Sequence, residues 1–147
     1  MTAERVKQSL KSWIESQYQN HPALIGIPIV LNGESDDVEM PVIGIIDTAS
    51  SNIEQDGVVM RGVDQLSINV EMHTVPRDNE DFGTTIIDHS QIAEDLYNIL
   101  DDGHCKDFCD GFNGATIFDI RVASPIIEMR DGRRVSVFQM TVIACPL

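Results

Sequence analysis

This sequence is short of several things, and each shortage excludes something. Lysine and arginine together number 10 against 24 aspartates and glutamates, a net charge of −14. A surface of that sign repels phosphate backbones, which argues against a protein that grips and reads nucleic acid, although nucleic acid can pass it without sticking. Solubility alone would account for the charge. Only three cysteines occur, Cys105, Cys109 and Cys145. An odd count without an export signal argues for reduced thiols and against a disulfide framework. Met1-Thr2-Ala3-Glu4-Arg5 opens into an amphipathic pattern and lacks the apolar core of a signal peptide, so a cytosolic product is expected. No apolar run approaches the roughly eighteen residues that a membrane helix requires, so no membrane partner is expected.

Catalytic signatures are missing as well. There is no G-x-S-x-G, no Walker loop and no G-x-G-x-x-G; Gly111-Phe112-Asn113-Gly114 has two glycines but no Lys-Ser/Thr behind them to hold a phosphate. Asp36, Asp37, Asp47 and Glu54 fall in no calcium-loop spacing and read as solvated charge. His104, Cys105, Cys109 and Cys145 contain one Cys-x3-Cys pair, but no second pair stands near it, so ordinary thiols are expected and no metal site. His21, His73, His89 and His104 are scattered, and neither His73 nor His89 has a serine or cysteine at any motif spacing. Neither a reaction nor a cofactor is indicated.

What the chain does have is pattern. In Leu66-Ser67-Ile68-Asn69-Val70-Glu71-Met72, apolar and polar residues alternate strictly, which gives a strand one apolar and one wet face. Such a strand belongs to a sheet covered on one side, the habit of antiparallel sheets. Its 147 residues, 42% of them hydrophobic, suffice for one domain, residues 1–147, with a single core.

In chain order, Val6, Leu10, Trp13, Ile14 and Tyr18 mark the buried face of an N-terminal helix of about four turns, with Thr2 as N-cap. His21-Pro22 is expected to end it, since the residue before proline is driven from the α region. Ile25 to Leu31 reads as an edge strand or an irregular strand start, because Pro28 cannot donate to a ladder. Asn32-Gly33 and Glu34 to Asp37 form a turn. Val42, Ile43, Ile45 and Ile46 predict a central strand covered on both faces. Thr48 to Asp56 reads as a polar loop, followed by a short strand near Val58 with a bend or bulge at Gly62. A long protruding β-hairpin is the alternative for that whole region. Val75 to Thr85 is a second polar loop.

Asp88-His89-Ser90-Gln91 has capping-box spacing, which predicts a helix starting at Asp88 with Ile92, Leu96, Ile99 and Leu100 inward and Asp101-Asp102-Gly103 as its stop. His104 to Gly114 reads as loop. A hairpin closes the chain: Phe118, Ile120 and Val122 alternate, Pro125 interrupts, Ile126 and Ile127 resume, and Asp131-Gly132 suits a two-residue type I′ turn before a return strand from Arg133 to Ala144. The expected fold class is α+β: a mainly antiparallel twisted sheet, two α-helices packed on it, and a C-terminal β-hairpin.

Taken in this order, the chain resembles the tail terminator (tail completion) proteins of long-tailed bacteriophages. The resemblance is carried by the helix with Trp13-Ile14 and its proline-containing link, by the P-x-I-G-I strand Pro41 to Ile45, by the long strand Leu66–Met72 leading to the helix Ile92–Leu100, and by the closing IFDIRVASPIIEMRDGRRVSVFQMTV. It covers nearly the whole chain. It implies a virion protein of the tail or neck, made in the host cytoplasm, with no enzymatic activity. Six copies would form a ring that stops tail-tube growth, contacts the tail tube protein and the head-closure or connector protein, and lets genomic DNA through its lumen. Under that reading Glu34, Asp36 and Asp37 are candidates to line the lumen. Ser50, Asn52, Glu54, Arg77, Asp78 and Glu80 are candidates to touch neighbouring subunits or the tube. Alternatives are another neck, connector or baseplate component, or a small cytosolic enzyme or ligand-binding domain.

Overall fold

A computed structural model of the chain describes residues 2–31, 41–55, 58–74, 82–111, 114–130 and 132–146. Among them run α1 (Thr2–Ser16), two 3-10 turns (Tyr18–Asn20 and Pro22–Leu24), β1 (Ile29–Leu31), β2 (Val42–Gln55), β3 (Val58–Thr74), α2 (Phe82–Leu100), α3 (Gly103–Cys109), β4 (Ala115–Val122), β5 (Ile126–Arg130) and β6 (Arg133–Pro146). The strands make one six-stranded sheet ordered β1-β2-β3-β6-β4, with β5 beside the other half of β6. Every pairing is antiparallel except β1 with β2. The α+β class and the C-terminal hairpin are both present.

The alternating strand builds the core as its period dictates. Leu66, Ile68, Val70 and Met72 of β3 are buried, level with Ile43 and Ile45 of β2 and with Phe138, Met140 and Val142 of β6. Onto this face pack Val6, Leu10, Trp13 and Ile14 of α1, and Ile92, Leu96, Ile99 and Leu100 of α2. Trp13 fixes the helices to each other: its indole Nε1–H donates to the Ile99 carbonyl at 2.9 Å and its ring lies 5.4 Å from Phe108 of α3.

Several expectations need correction. The first helix stops at Ser16, before His21-Pro22, where the Ser16 hydroxyl donates to the Trp13 carbonyl at 2.6 Å; the chain continues in 3-10 turns. The edge strand is only Ile29–Leu31, although Pro28 does sit at its start, its carbonyl accepting from Ile43 N–H at 3.0 Å. The α2 helix begins at Phe82, so Asp88 is not its cap and residues 82–85 are not loop. Phe82, Ile86, His89, Ala93, Leu96 and Leu100 keep helical spacing throughout, and a histidine at an inward position hid it. Within the expected loop from His104, α3 forms a third helix, capped by Asp102, whose carboxylate accepts from His104 N–H at 2.9 Å.

The region after Asp47 is strand, as the hairpin alternative had it, and not loop. β2 runs on to Gln55 and pairs with β3 up to Gln55↔Val58. Its register shifts between Asp47 and Ala49 and again between Asn52 and Glu54, the second shift spanning Gly62. Covering of the second sheet face is also uneven. Val42, Glu71, His73, Val135 and Val137 are buried there, whereas Ala49, opposite Ser67 on the same face, is exposed. One end of the sheet is therefore covered on both faces, and the expectation of one-sided cover fails at Glu71 and His73. The closing turn behaves as its residues require: Arg130 pairs with Arg133, and Gly132 takes a φ of +76°, which an L side chain adopts only with strain.

Candidate functional site

The regions open to function are the sheet's two edges and the ribbon between them. β1 covers β2 only at Ile43–Ile45, and β6 covers β3 only from Asp64 onward. Beyond those points the ends of β2 and β3 pair with each other alone among the described residues, and a two-stranded ribbon standing free in water is marginal in stability. Its unpaired backbone groups are a ready template for another chain. Ser50 lies exposed on the edge of β2 opposite Leu66, where β6 still flanks β3; farther out on the ribbon Asn52 stands opposite Asp64 and Glu54 opposite Val59. Glu34, Asp36, Asp37, Arg77, Asp78 and Glu80 lie outside the described residues.

The root of the ribbon is tied to α1. Lys7 is fully buried, and its ammonium reaches Asp47 Oδ1 at 2.5 Å and Glu4 Oε1 at 2.8 Å. Burial by itself would lower the Lys7 pKa, but the two carboxylates outweigh it and hold the ammonium above its ordinary value. In return, the Lys7 hydrogen bond holds Asp47 below the usual carboxylate range.

On the second face a charged cluster closes the other end of the sheet. Arg130 of β5 donates through both Nη atoms to Glu71, at 3.0 and 3.1 Å, and also bonds Glu128; His73 Nε2 lies 3.0 Å from the same Glu71 carboxylate. Burial pushes Glu71 upward, but the His73 and Arg130 hydrogen bonds overcome it and bring it to about 2. Arg130 is raised in turn, chiefly by Glu71.

On the helix face, sequence spacing gave no hint of a third group. His89 of α2 bridges two strands: Nδ1 lies 2.6 Å from Thr74 Oγ1 on β3, and Nε2 lies 2.8 Å from Ser136 Oγ on β6. With Nδ1 protonated, the ring donates to Thr74 and accepts from Ser136. Burial, with the Arg134 charge added, lowers the ring's pKa to about 4 and keeps it neutral. Beside it opens a mostly apolar groove of about 350 Å³ between α2 and the β4–β5 link, walled by Ala93, Tyr97, Pro125 and Ile127. The Ser136–His89 arrangement has the order of a nucleophile and base but ends on a hydroxyl where hydrolases place a carboxylate. Both side chains are sealed, at 0% and 1% exposure.

The cysteines do not converge with His104 on one site. Cys105 and Cys109 are buried in the core, His104 is exposed and bonded to Asp102, and Cys145 pairs across to Thr116. The Cys109 thiol beside it and burial push Cys105 up, which suppresses thiolate chemistry. Among the described residues no group of three or more His, Cys, Asp or Glu gathers to hold a metal, and no helix is long and apolar enough to cross a membrane. A scan against protein-family models finds no match for this chain, and a search of curated proteins finds none either.

Proposed function

We propose that the protein is a ring-forming structural component of a bacteriophage tail, acting as the tail terminator at the head-proximal end of the tube. The observation that supports this best is the β2–β3 ribbon, which outruns its neighbours and, among the described residues, leaves long backbone edges unpaired. Edges of that kind endanger a monomer but serve subunit pairing, and head-to-tail pairing about an axis closes a ring. Among the described residues all three helices pack on one face, and no strand pairs with the outer edge of β1 or of β4 and β5. The net charge of −14 suits a lumen through which DNA slides without adhering. In this reading the ring, of six copies, ends tube polymerisation and offers its other face to a head-closure protein. No reaction is catalysed.

Solution mass across a concentration series, with negative-stain images, tests the reading. Closed rings with a central hole are expected, alone or on added tail tubes. A chain that stays single and ignores tube ends overturns it. Glu34→Lys, Asp36→Lys and Asp37→Lys should impair DNA passage more than folding; unchanged DNA release would remove these residues from the lumen. A second reading, a small-ligand site, is favoured by the groove beside His89 alone.

A further inference from the structure

We propose that the groove between α2 and the β4–β5 link binds a small amphipathic carboxylate, its apolar body along the groove and its head at Arg134. The site belongs to the single chain and does not depend on assembly. It follows from the period of β6. Arg134, Ser136, Phe138 and Met140 are spaced by two, so all four stand on the helix side of the sheet. Phe138 and Met140 enter the core, Ser136 is covered by His89, and Arg134, first in the row, is half-buried. β5 runs beside them with Ile127 level with Ser136 and Met129 level with Arg134. The groove wall at Ile127 thus continues along β5 to Met129, which is 63% exposed.

Arg134 is the group the fold leaves unexplained. Its Nε is buried and, among the described residues, meets no hydrogen-bond acceptor. Thr74, directly opposite, is turned to His89. The Glu71 and Glu128 carboxylates lie on the other face and are bonded to Arg130. Native folds rarely leave a charged donor buried and unmet, and one that persists calls for a bound partner. The Arg134 charge is felt at His89, which places it at the His89 end of the groove.

The groove states what the rest of the ligand is. Ala93, Tyr97, Pro125 and Ile127 wall it, and the polar groups of its floor are spent, since His89 bonds both Ser136 and Thr74. An apolar body gains most by lying there. At about 30 Å³ for each water-sized group, the 350 Å³ takes roughly a dozen heavy atoms. Among the described residues lining the groove, the one carboxylate is exposed Glu94. α2 and β6 run the same way here, His89 meeting Ser136 and Tyr97 stacking on Phe138. Glu94, five residues and about 7.5 Å along α2 from His89, therefore lies away from the Arg134 end. A cation at one end and a carboxylate towards the other set the ligand's direction, head to Arg134 and tail to Tyr97. A single guanidinium matches a singly charged carboxylate and leaves the second charge of a phosphate unmet.

Calorimetric titration of the full chain with octanoate, a carboxylate of that size, tests this, with octan-1-ol and octylammonium as controls. One octanoate per chain is expected, bound at least about tenfold more tightly than octan-1-ol, since hydrogen bonds to charged groups carry that margin. Octylammonium should bind more weakly still. Arg134→Gln should bring octanoate down to the level of the alcohol and leave the alcohol's affinity unchanged. Ile127→Asp, at a position 57% exposed, should weaken both ligands without altering the circular dichroism. Equal affinity for octanoate and octan-1-ol, or octanoate binding indifferent to Arg134→Gln, overturns the carboxylate and leaves an apolar site. Binding of neither, or binding indifferent to Ile127→Asp, overturns the groove as the site. If octanoate binding weakens as the chain is concentrated, another copy fills the groove and the proposal falls.

Discussion

The two ends of the β2–β3 pair are built from the same two strands and live in different environments. At the Val42–His73 end, helices cover one face, the Glu71 cluster closes the other, and the strands are flanked by β1 and β6. At the Gln55–Val58 end the ribbon has no flanking strand among the described residues. The ladder is regular at the first end and is interrupted twice towards the second, between Asp47 and Ala49 and between Asn52 and Glu54. Flanking strands and an even register belong to the first end alone among the described residues. The core residues that carry stability lie at the first end.

Substitutions can break that contrast. The largest loss is expected from Phe138→Ala in the covered half, where the fully buried ring lies 6.3 Å from Tyr97 in a stacked arrangement; urea unfolding should show about 3–5 kcal/mol less stability. Next comes acid. His89 is neutral in the fold with a pKa of about 4, against an ordinary 6.5, so the unfolded chain binds the proton more readily. Its contribution is complete above pH 6.5 and is lost as pH falls towards 4, by on the order of 3 kcal/mol. Thermal melts of wild type and His89→Gln over that range should differ in slope, and equal slopes would refute the assignment.

A smaller effect is expected from Arg130→Met, which strips the buried Glu71 of its bidentate partner and costs roughly 1–3 kcal/mol at neutral pH. Because Glu71 is depressed to about 2 from an ordinary 4.5, its stabilising effect is present above pH 4.5 and fades below it. The gap between variant and wild type, read from urea midpoints at pH 7 and pH 3, should narrow accordingly. Smallest of all is Ser50→Lys on the exposed edge of β2 leading to the ribbon, expected to change stability by less than about 0.5 kcal/mol while altering any oligomer that uses this edge. A large stability loss there would erase the contrast.

The covered half was legible in the sequence because burial imprints a period. Leu66 to Met72 alternated, and Val6, Leu10 and Ile14 recurred at helical spacing, since each had one apolar face to hide. The ribbon left no such imprint. Thr48-Ala49-Ser50-Ser51-Asn52 reads as loop, and Thr48, Ala49 and Ser50 are all exposed, so that stretch had no reason to alternate. His89 misled in the opposite sense: a polar residue at an inward position concealed the first turns of α2, and its partners Thr74 and Ser136 are 15 and 47 residues away in the chain. No spacing rule reaches that far. The exposed apolar residues Ile25, Ile127 and Met129 lay in plain view, but exposure is a property of the fold.

The Lys7–Asp47 pair has a mechanical consequence. Asp47 borders the first register shift of β2, the place where a strand bends most readily, and Lys7 pins that place to α1. The pin therefore sets the direction in which β2 leaves its first bend relative to the helix layer, while the second bend, between Asn52 and Glu54, lies farther out along the ribbon. The helices fix where the ribbon starts, and the outer shift decides where its tip points.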